Sequence, residues 1–270
     1  MVPILTAERG VLGVGCFILL MLVESVIPFR PATDARWRRT LINVFITGSN
    51  ALLLSVLLGG LLVAAYQAFE LRGVGLLPAM GVSPWGNVAS SVVLLDGVTY
   101  WWHRAYHRLP LLWRMHRVHH SDLDVDVTTS GRFHLMEMGL SALFRLGVIA
   151  LWGASLASVV IFEIVFGLFN QLEHANLRLP GTLDGWLRTV FVTPDMHRVH
   201  HSQIPDQTNS NYGTVFSWWD RLFGTYRVAE DQRALVLGLP EYQQPQAVSF
   251  GRVLVMPFGP PCGAVPSTSS

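Results

Sequence analysis

The stretch of residues 41–69 contains no charged side chain. A helix needs about 20 apolar residues to cross the hydrocarbon core of a bilayer, so this stretch is long enough to span one with some tilt. The whole chain has a similar character, since 51% of its residues are hydrophobic and 14% are charged, against roughly a quarter charged in an ordinary soluble domain. The sequence therefore predicts an integral membrane protein.

Three further apolar regions accompany this one. Residues 11–28 form the first, where Glu24 and the lack of a small-x-small cleavage pattern argue against a cleaved signal peptide. Residues 85–102 form the next. Residues 138–172 form the last, and the glycine-containing segment 153–155 in its middle predicts a turn between two antiparallel helices. We therefore predict an all-α, multi-pass membrane helical bundle with four or five passes.

Two charged residues interrupt the last apolar region, Arg145 and Glu163, at equal distances before and after residue 154. In an antiparallel hairpin they reach a similar depth. A charge in hydrocarbon costs about 3 kcal/mol on insertion scales, so we predict that the two residues pair or share a polar network inside the bundle. In the alternative arrangement, Arg145 extends to the membrane surface and Glu163 faces water or a substrate channel.

The arginines predict how the chain is oriented. Four of them crowd the short loop after the first apolar region, namely Arg30, Arg36, Arg38 and Arg39. The opposite side carries only Arg9 and Arg72. The positive-inside rule therefore places residues 29–40 in the cytoplasm, and counting the crossings puts all ten histidines on that same face. In a bacterium the membrane would be the cell inner membrane.

The word "MHRVHHS" occurs twice, at residues 115–121 and 196–202. Residues at i, i+3 and i+4 share one face of a helix, so each word projects three imidazoles in one direction. An H-x3-H pair precedes the first word. The eight histidines of these three words are His103, His107, His116, His119, His120, His197, His200 and His201. So many imidazoles packed together without a metal would leave buried polar atoms unsatisfied, so the pattern predicts a metal site.

Other polar residues near these words are candidates for supporting roles. His174, at the end of an apolar region, is interpreted as a further ligand. His134 either coordinates metal or orients a ligand by a hydrogen bond, with Glu137 three residues later. Asp96 shares a helix stripe with the H-x3-H pair, so it either accepts from a ligand imidazole or is a helix-end carboxylate near water. Asp195 has corresponding alternatives, and N-capping of the helix that carries the second word is the favoured one.

The ordered set of words resembles the fatty acid hydroxylase superfamily, also called the sterol desaturase family. The resemblance covers residues 96–225 and includes "RFHLME" after the first HRVHH word and "NYGTVFSWWDRLFGT" after the second. It implies an integral-membrane oxygenase whose non-haem di-iron centre is held in a cytosolic histidine-rich cap. The metal ligands that it implies are His103, His107, His116, His119, His120, His174, His197, His200 and His201.

This sequence departs from the family pattern at two places. His134 is followed by Leu135 where the family usually has His-Pro, and Asn170 stands four residues before His174 where some members have H-x3-H. Both departures leave the ligand roles of His134 and Asn170 open. Four residues of the closing motif are expected to tie the last loop back over the site, namely Asn211, Tyr212, Trp219 and Asp220.

The resemblance implies an O2-dependent hydroxylase or desaturase that acts on a C–H bond of a lipid or sterol-like substrate. It implies two iron ions, which zinc can replace in a purified sample. The chain has no dinucleotide-binding fingerprint and no cysteine motif for haem or iron–sulfur clusters, since Cys16 and Cys262 lack such spacing, so a separate electron-donor protein is expected.

Two other functions are alternatives for a histidine-rich membrane chain, a zinc-dependent membrane hydrolase and a non-catalytic metal carrier. The H-E-x-x-H word of zinc proteases is absent, and a transporter is expected to hold its ligands near mid-membrane. A net charge of +1 offers no basic field for nucleic acid. We expect an N-terminal transmembrane region at 1–84, a catalytic region at 85–228 and a C-terminal segment at 229–270 with a disordered tail from 257.

Overall fold

The computed structural model of the chain describes residues 2–31 and 36–260, with side chains from residue 10 onward. The described part is helical, as predicted, with two isolated β-bridges. Its helices are α1 (Val2–Val26), α2 (Arg36–Leu54), α3 (Gly60–Leu71), α4 (Leu76–Ala79), α5 (Pro84–Arg108), α6 (Pro110–His120), α7 (Leu135–Trp152), α8 (Leu156–His174), α9 (Gly181–Leu187), α10 (Pro194–His200), α11 (Pro205–Thr208), α12 (Trp218–Leu222) and α13 (Phe250–Val255). A π-helical turn, Ser55–Gly59, joins α2 to α3.

Three helical segments of the described chain are long and apolar enough to cross a membrane. They are the run Arg36–Ala79, which contains α2 to α4, and the helices α7 and α8. The apolar part of α1, Gly10–Val26, is shorter. The chain is therefore an integral membrane protein, and the predicted spans at 41–69 and in the hairpin are confirmed.

The predicted span at residues 85–102 is not among these segments. It forms most of α5, whose polar side chains Asn87, Ser91 and Asp96 are buried and lower its apolarity. These side chains face protein partners instead of lipid. Even so, α5 runs the full height of the hairpin, because Asn87 contacts the hairpin turn and His103 reaches the histidines at the other end.

The turn between α7 and α8 lies at residues 153–155, as predicted. Gly153 adopts φ +80°, and a Cβ at this position would clash with the ring of Pro78. Asn87 fixes the turn, since its Nδ2 donates to the Gly153 carbonyl at 3.0 Å and its Oδ1 accepts from Ser155 N at 3.0 Å and Ser158 Oγ at 2.7 Å. The turn is therefore clamped between α4 and the start of α5.

The two charged residues of the hairpin meet, as predicted. Arg145 Nη1 lies 3.9 Å from Glu163 Oε1. The guanidinium of Arg145 also lies against the rings of Phe162 and Phe166, with centroid distances of 5.6 and 5.4 Å. The alternative in which Arg145 extends away from Glu163 to the surface is therefore wrong.

The ends of α1 and α2 dock on the loop that follows the first histidine word. Glu24 of α1 accepts hydrogen bonds from the backbone of this loop and of the segment after α8. Arg39 of α2 pairs with Asp122 and Asp126, and Asn43 donates to Asp122 at 2.8 Å. This buried network joins the membrane helices to the C-terminal end of α6, where the first histidine word lies.

The start of the C-terminal tail, predicted to be disordered from residue 257, is instead ordered up to residue 260. Pro257 belongs to the 3-10 turn Met256–Phe258, and its carbonyl accepts from Arg114 Nε at 2.8 Å. Pro260 accepts from Arg117 Nη1 at 2.8 Å. The prediction failed for these residues because Arg114 and the fully buried Arg117 of α6 require acceptors, which this segment supplies. Residues 261–270, with Cys262, lie outside the described residues.

Replacement of Asn87 by alanine should destabilise the bundle. It removes the Asn87 partner of the Gly153 carbonyl and of Ser155 N, and one of the two partners of Ser158 Oγ. Each buried group left without a partner costs about 1–3 kcal/mol. The free energy of unfolding in mixed micelles would measure the loss. Ser90→Ala is the matched control, because the Ser90 hydroxyl bonds, among the described residues, to carbonyls of its own helix. Equal stability of the two variants would contradict this role of Asn87.

Candidate metal centre

Four helices bring nine histidines together at one end of the bundle. The last turns of α5 carry the H-x3-H pair, α6 and α10 carry the two repeated words, and α8 ends at His174. Both word-bearing helices begin with proline, Pro110 and Pro194, whose fixed φ suits the first helical position. The second word continues one residue beyond α10, where His201 is the C-cap.

The histidines form two groups, and in each group the candidate ligand atoms lie within 4.8 Å of one another. The five-histidine group consists of His103, His107, His116, His120 and His200. The four-histidine group consists of His119, His174, His197 and His201. Together they are the nine histidines expected from the sequence, and the tenth, His134, belongs to neither group.

Each repeated word contributes to both groups. In the first word, the outer histidines His116 and His120 belong to the five-histidine group, whereas the middle one, His119, belongs to the four-histidine group. In the second word the assignment is reversed, and His200 is the residue that crosses over. The repeated sequence therefore places two similar helices on opposite sides of a pair of adjoining sites.

The spacing of the ring nitrogens suits shared metal ions. In the four-histidine group, His174 Nε2 lies 3.1 Å from His119 Nε2 and 3.0 Å from His197 Nε2, which is 3.1 Å from His201 Nε2. Two nitrogens bound at about 2.0–2.1 Å to one ion, at a right angle, are about 3 Å apart. In the five-histidine group, His103 Nε2 and His116 Nε2 are also 3.1 Å apart.

Several rings are oriented by hydrogen bonds on their Nδ1 side. Glu137 accepts from His116 Nδ1 at 2.6 Å. The other acceptors are backbone carbonyls, which belong to Tyr212 for His103, Asn170 for His174 and Ser210 for His200. Such bonds fix the tautomer in which Nδ1 carries the proton and Nε2 is free to bind a metal.

Other buried ring nitrogens have no hydrogen-bond partner among the described residues. They include both nitrogens of His107 and the Nε2 atoms of His120 and His200. Burial lowers the pKa of His119 well below its ordinary value, and neighbouring imidazoles lower it further, so the ring is neutral at pH 7. A neutral imidazole with an unpartnered nitrogen can coordinate a metal ion, so the residues present fit a metal centre.

Glu173 is a further member of this region that sequence reasoning missed. Its carboxylate is buried, 3.8 Å from His174 Nδ1 and 3.6 Å from His197 Nδ1. Since His174 Nδ1 already donates to the Asn170 carbonyl, the nearby ring nitrogen without a partner among the described residues is His197 Nδ1. A carboxylate at this position also offsets the charge of a bound cation. The available signal was an acidic residue directly before His174 at the end of an apolar helix.

The roles expected for Asp96 and Asp195 are wrong. Asp96 is buried and accepts from Val215 N, Phe216 N and Trp219 Nε1, so it neither contacts an imidazole nor lies near water. It holds the closing loop onto α5. Asp195 does not cap α10, whose N-cap is Thr193, but pairs with Arg198 at 2.7 Å.

The open question about His134 is resolved against both alternatives. Its Nδ1 accepts from Met136 N at the start of α7, and its Nε2 donates to the Leu254 carbonyl at 3.1 Å, so it joins α7 to α13. Glu137, in contrast, orients His116. Asn170 donates through its side chain to the Ser130 carbonyl at 2.9 Å and holds His174 through its backbone.

The closing motif folds back over the histidines as predicted. Asp220 accepts from Tyr212 N at 2.8 Å and from Gly213 N at 2.9 Å. Asn211 donates to the Met196 carbonyl at 2.9 Å, which ties the loop to α10. Because Trp219 bonds to Asp96 at 2.8 Å, the loop is anchored on both sides of the centre.

A cavity of about 540 Å³ adjoins both groups. His103 and His116 of the five-histidine group line it at one end, together with His119, His174 and His197 of the four-histidine group. Apolar side chains from α1, α2, α3 and α8 line the part that extends between the membrane helices, and so do Arg145 and Glu163. The centre therefore faces an elongated, largely apolar space.

Comparison with known proteins agrees with this architecture. Residues 88–225 match the sequence profile described as fatty acid hydroxylase. The match covers more than half of the chain, which therefore belongs to the fatty acid hydroxylase family.

Curated relatives resemble part of the chain. It is 35% identical to an ornithine lipid hydroxylase of Rhizobium tropici over 52% of this chain and 41% of that protein. It is 30% identical to human alkylglycerol monooxygenase over 58% of this chain and 34% of that protein. It is 25% identical to rat cholesterol 25-hydroxylase over 56% of this chain and 50% of that protein. The matches thus span half or less of these relatives' own lengths. No solved structure matches the chain.

In each repeated word, one histidine belongs to a different group from the other two, His119 in the first word and His200 in the second. Substitution of either of these crossing histidines should weaken metal binding. We expect His119→Ala and His200→Ala to lower the affinity for metal by at least about tenfold, since each removes a candidate ligand from a different group. Metal per chain after dialysis at several free-metal concentrations would measure this. His134→Ala is the control and should keep its metal. Wild-type metal content in both crossing variants would refute the grouping.

Proposed function

We propose that this chain is a membrane-bound, O2-dependent hydroxylase that inserts oxygen into a C–H bond of a lipid-like substrate at a histidine-bound di-iron centre. The observation that carries the proposal is the cavity, which runs from two adjoining histidine groups into the apolar part of the bundle. A long apolar molecule in this space would present a C–H bond directly to the metals.

In this proposal, the five-histidine and four-histidine groups would each hold one ion. Imidazole ligands suit iron, zinc and copper alike, so the choice of iron rests on the family. Bound iron would supply O2 activation and the removal of hydrogen from an unactivated C–H bond. Zinc that replaces iron in a purified sample would fill the site without this chemistry.

The overall reaction needs an external reductant. One O2, two electrons and two protons convert R–H into R–OH and water, so one oxygen atom enters the substrate and the other is reduced. We assign the electrons to a separate one-electron carrier protein, because the 270 residues contain no dinucleotide fingerprint and no haem or iron–sulfur cysteine motif.

The chain's own residues would orient the ligands and exclude water. Glu137 and the backbone acceptors hold the rings in fixed tautomers. Phe133 stacks on His119 with centroids 4.4 Å apart, and it lines the cavity beside the histidines. Apolar side chains such as Leu54 and Phe166 would hold the substrate chain by burial of its methylene groups.

The names of the relatives support this substrate class and favour hydroxylation over desaturation. Those proteins are described as a lipid hydroxylase, an alkylglycerol monooxygenase and a sterol hydroxylase. Neither a zinc-dependent hydrolase nor a metal carrier has a comparable observation in its favour.

Growth under isotopically heavy O2 tests the function. A host that expresses the wild-type chain should contain a hydroxylated lipid with one heavy oxygen, detected by mass spectrometry of the lipid extract. The host with His119→Ala, expressed at the same level, should lack that lipid. Metal-loaded wild-type protein that yields no labelled lipid in any host that supplies reduced carrier proteins would contradict the proposal.

We further propose that the centre lies on the cytoplasmic face. Arg30 before α2 and three arginines in its first turn, Arg36, Arg38 and Arg39, support this. Gly75 lies against the Gly153 turn, at the end of the bundle opposite the histidines. A reporter fused after residue 270 should then be cytoplasmic, and a cysteine introduced at Arg72 should react with a membrane-impermeant reagent from outside. The reverse pattern would overturn this orientation.

A further inference from the structure

The first histidine of each repeated word has a carboxylate beside its Nδ1 atom. His116, the first histidine of the first word, donates to Glu137 on α7 at 2.6 Å. His197, the first histidine of the second word, has Glu173 on α8 beside the same ring atom, with Oε2 at 3.6 Å from Nδ1. Both carboxylates lie at the histidine end of the α7–α8 hairpin, because α7 begins and α8 ends there.

The two atoms that face each other between Glu173 and His197 each lack a hydrogen-bond partner. Glu173 Oε2 and His197 Nδ1 are both buried, and neither has a hydrogen bond among the described residues. A carboxylate oxygen accepts hydrogen bonds, and an imidazole Nδ1 that carries a proton donates one. Charge-assisted hydrogen bonds are about 2.7–2.9 Å long, so the two atoms need to approach by less than about 1 Å to form one. One hydrogen bond would then satisfy both buried atoms.

The other ring nitrogen of His197 is placed to bind metal. Its Nε2 lies 3.0 Å from His174 Nε2 and 3.1 Å from His201 Nε2, within the four-histidine group. A neutral imidazole that coordinates an ion through Nε2 carries its proton on Nδ1, so metal binding would make His197 Nδ1 a donor that faces Glu173. The hydrogen bond in turn would fix the ring and make it a stronger ligand.

The four-histidine group has few other acceptors for its rings. His174 Nδ1 lies 3.8 Å from Glu173 Oε1, but it already donates to the Asn170 carbonyl at 2.6 Å. The Nδ1 atoms of the other three rings have no hydrogen bond among the described residues, namely those of His119, His197 and His201. Glu173 therefore supplies the acceptor that orients a second ring of this group.

We propose that Glu173 is a positioning residue that holds His197 for the ion of the four-histidine group, as Glu137 holds His116 for the ion of the five-histidine group. Each ion then has one ring fixed by a carboxylate, and each carboxylate places a negative charge near one cation. The duplication of the histidine word thus extends to the acid that orients its first histidine. This rests on the two metal ions of the proposed function.

Zinc affinity tests this role without turnover. The full-length, zinc-loaded protein in nanodiscs is titrated with a chromophoric chelator, which reports the affinity for each ion. Glu173→Ala should lower the affinity for one of the two ions about 10–100-fold, the usual effect of removing the partner of a ligand, and leave the other ion unchanged. Glu173→Gln should recover part of this loss, because its amide oxygen still accepts from Nδ1. Gln171→Ala is the matched control and should bind both ions like wild type, since Gln171 lines the cavity from the same helix but donates to the Gly13 carbonyl.

A second set of variants tests which ion Glu173 serves. His119→Ala weakens the four-histidine group, so the tighter ion that remains belongs to the five-histidine group. In this background, Glu137→Ala should weaken the remaining ion about 10–100-fold and Glu173→Ala should leave its affinity unchanged. The reverse pattern would overturn the assignment, and so would wild-type affinity for both ions in Glu173→Ala alone.

If the variants fail to insert, the zinc-loaded wild type decides. An experimental structure of it should show Glu173 Oε2 at about 2.7–2.9 Å from His197 Nδ1. A Glu173 oxygen bound directly to zinc, or a separation that stays at 3.6 Å, would overturn the positioning role. Wild-type protein that binds a single zinc ion would contradict both this role and the two-ion centre of the proposed function. Two ions with the expected dependence on Glu173, but no oxygenated lipid, would contradict the proposed hydroxylase activity alone.

Discussion

Nine imidazole rings lie together at one end of the bundle, and several of their Nε2 atoms face one another. Buried polar atoms without partners cost free energy, and several of these nitrogens have none among the described residues. Two adjoining metal ions would supply the missing partners. Polar groups around the rings position several of them, from Glu137 on α7 to the carbonyls of the closing loop.

The repeated word also contains an arginine with a structural role. Its arginine, Arg117 in the first copy and Arg198 in the second, lies between the histidines in sequence and is buried in both copies. Arg117 binds carbonyls at the C-terminal end of the described chain, and Arg198 binds Asp195 and the Leu177 carbonyl. Each word thus presents imidazoles to the centre while its arginine anchors the helix to neighbouring segments.

The sequence predicted those features correctly that follow from helix periodicity or from the free-energy cost of a charge in lipid. The i, i+3 and i+4 spacing predicted the histidine faces, and the cost of charge in lipid predicted the Arg145–Glu163 contact. Predictions from the sequence failed for residues whose role depends on hydrogen-bond partners far away in the chain. Asp96 shares a helix stripe with His103, but the closing loop, more than a hundred residues later, supplies its donors. His134 bonds to Leu254, and the acceptors at residues 257–260 are needed by arginines of α6, so local pattern could not reveal either.

In the proposed function, each histidine group would hold one metal ion, and each repeated word would contribute ligands to both ions. Anomalous diffraction at the iron edge from crystals of the iron-loaded protein tests this most directly. We expect two peaks, one within the five-histidine group beside His200 and one within the four-histidine group beside His119. A single peak, or a peak ligated by His134 in place of these residues, would contradict it.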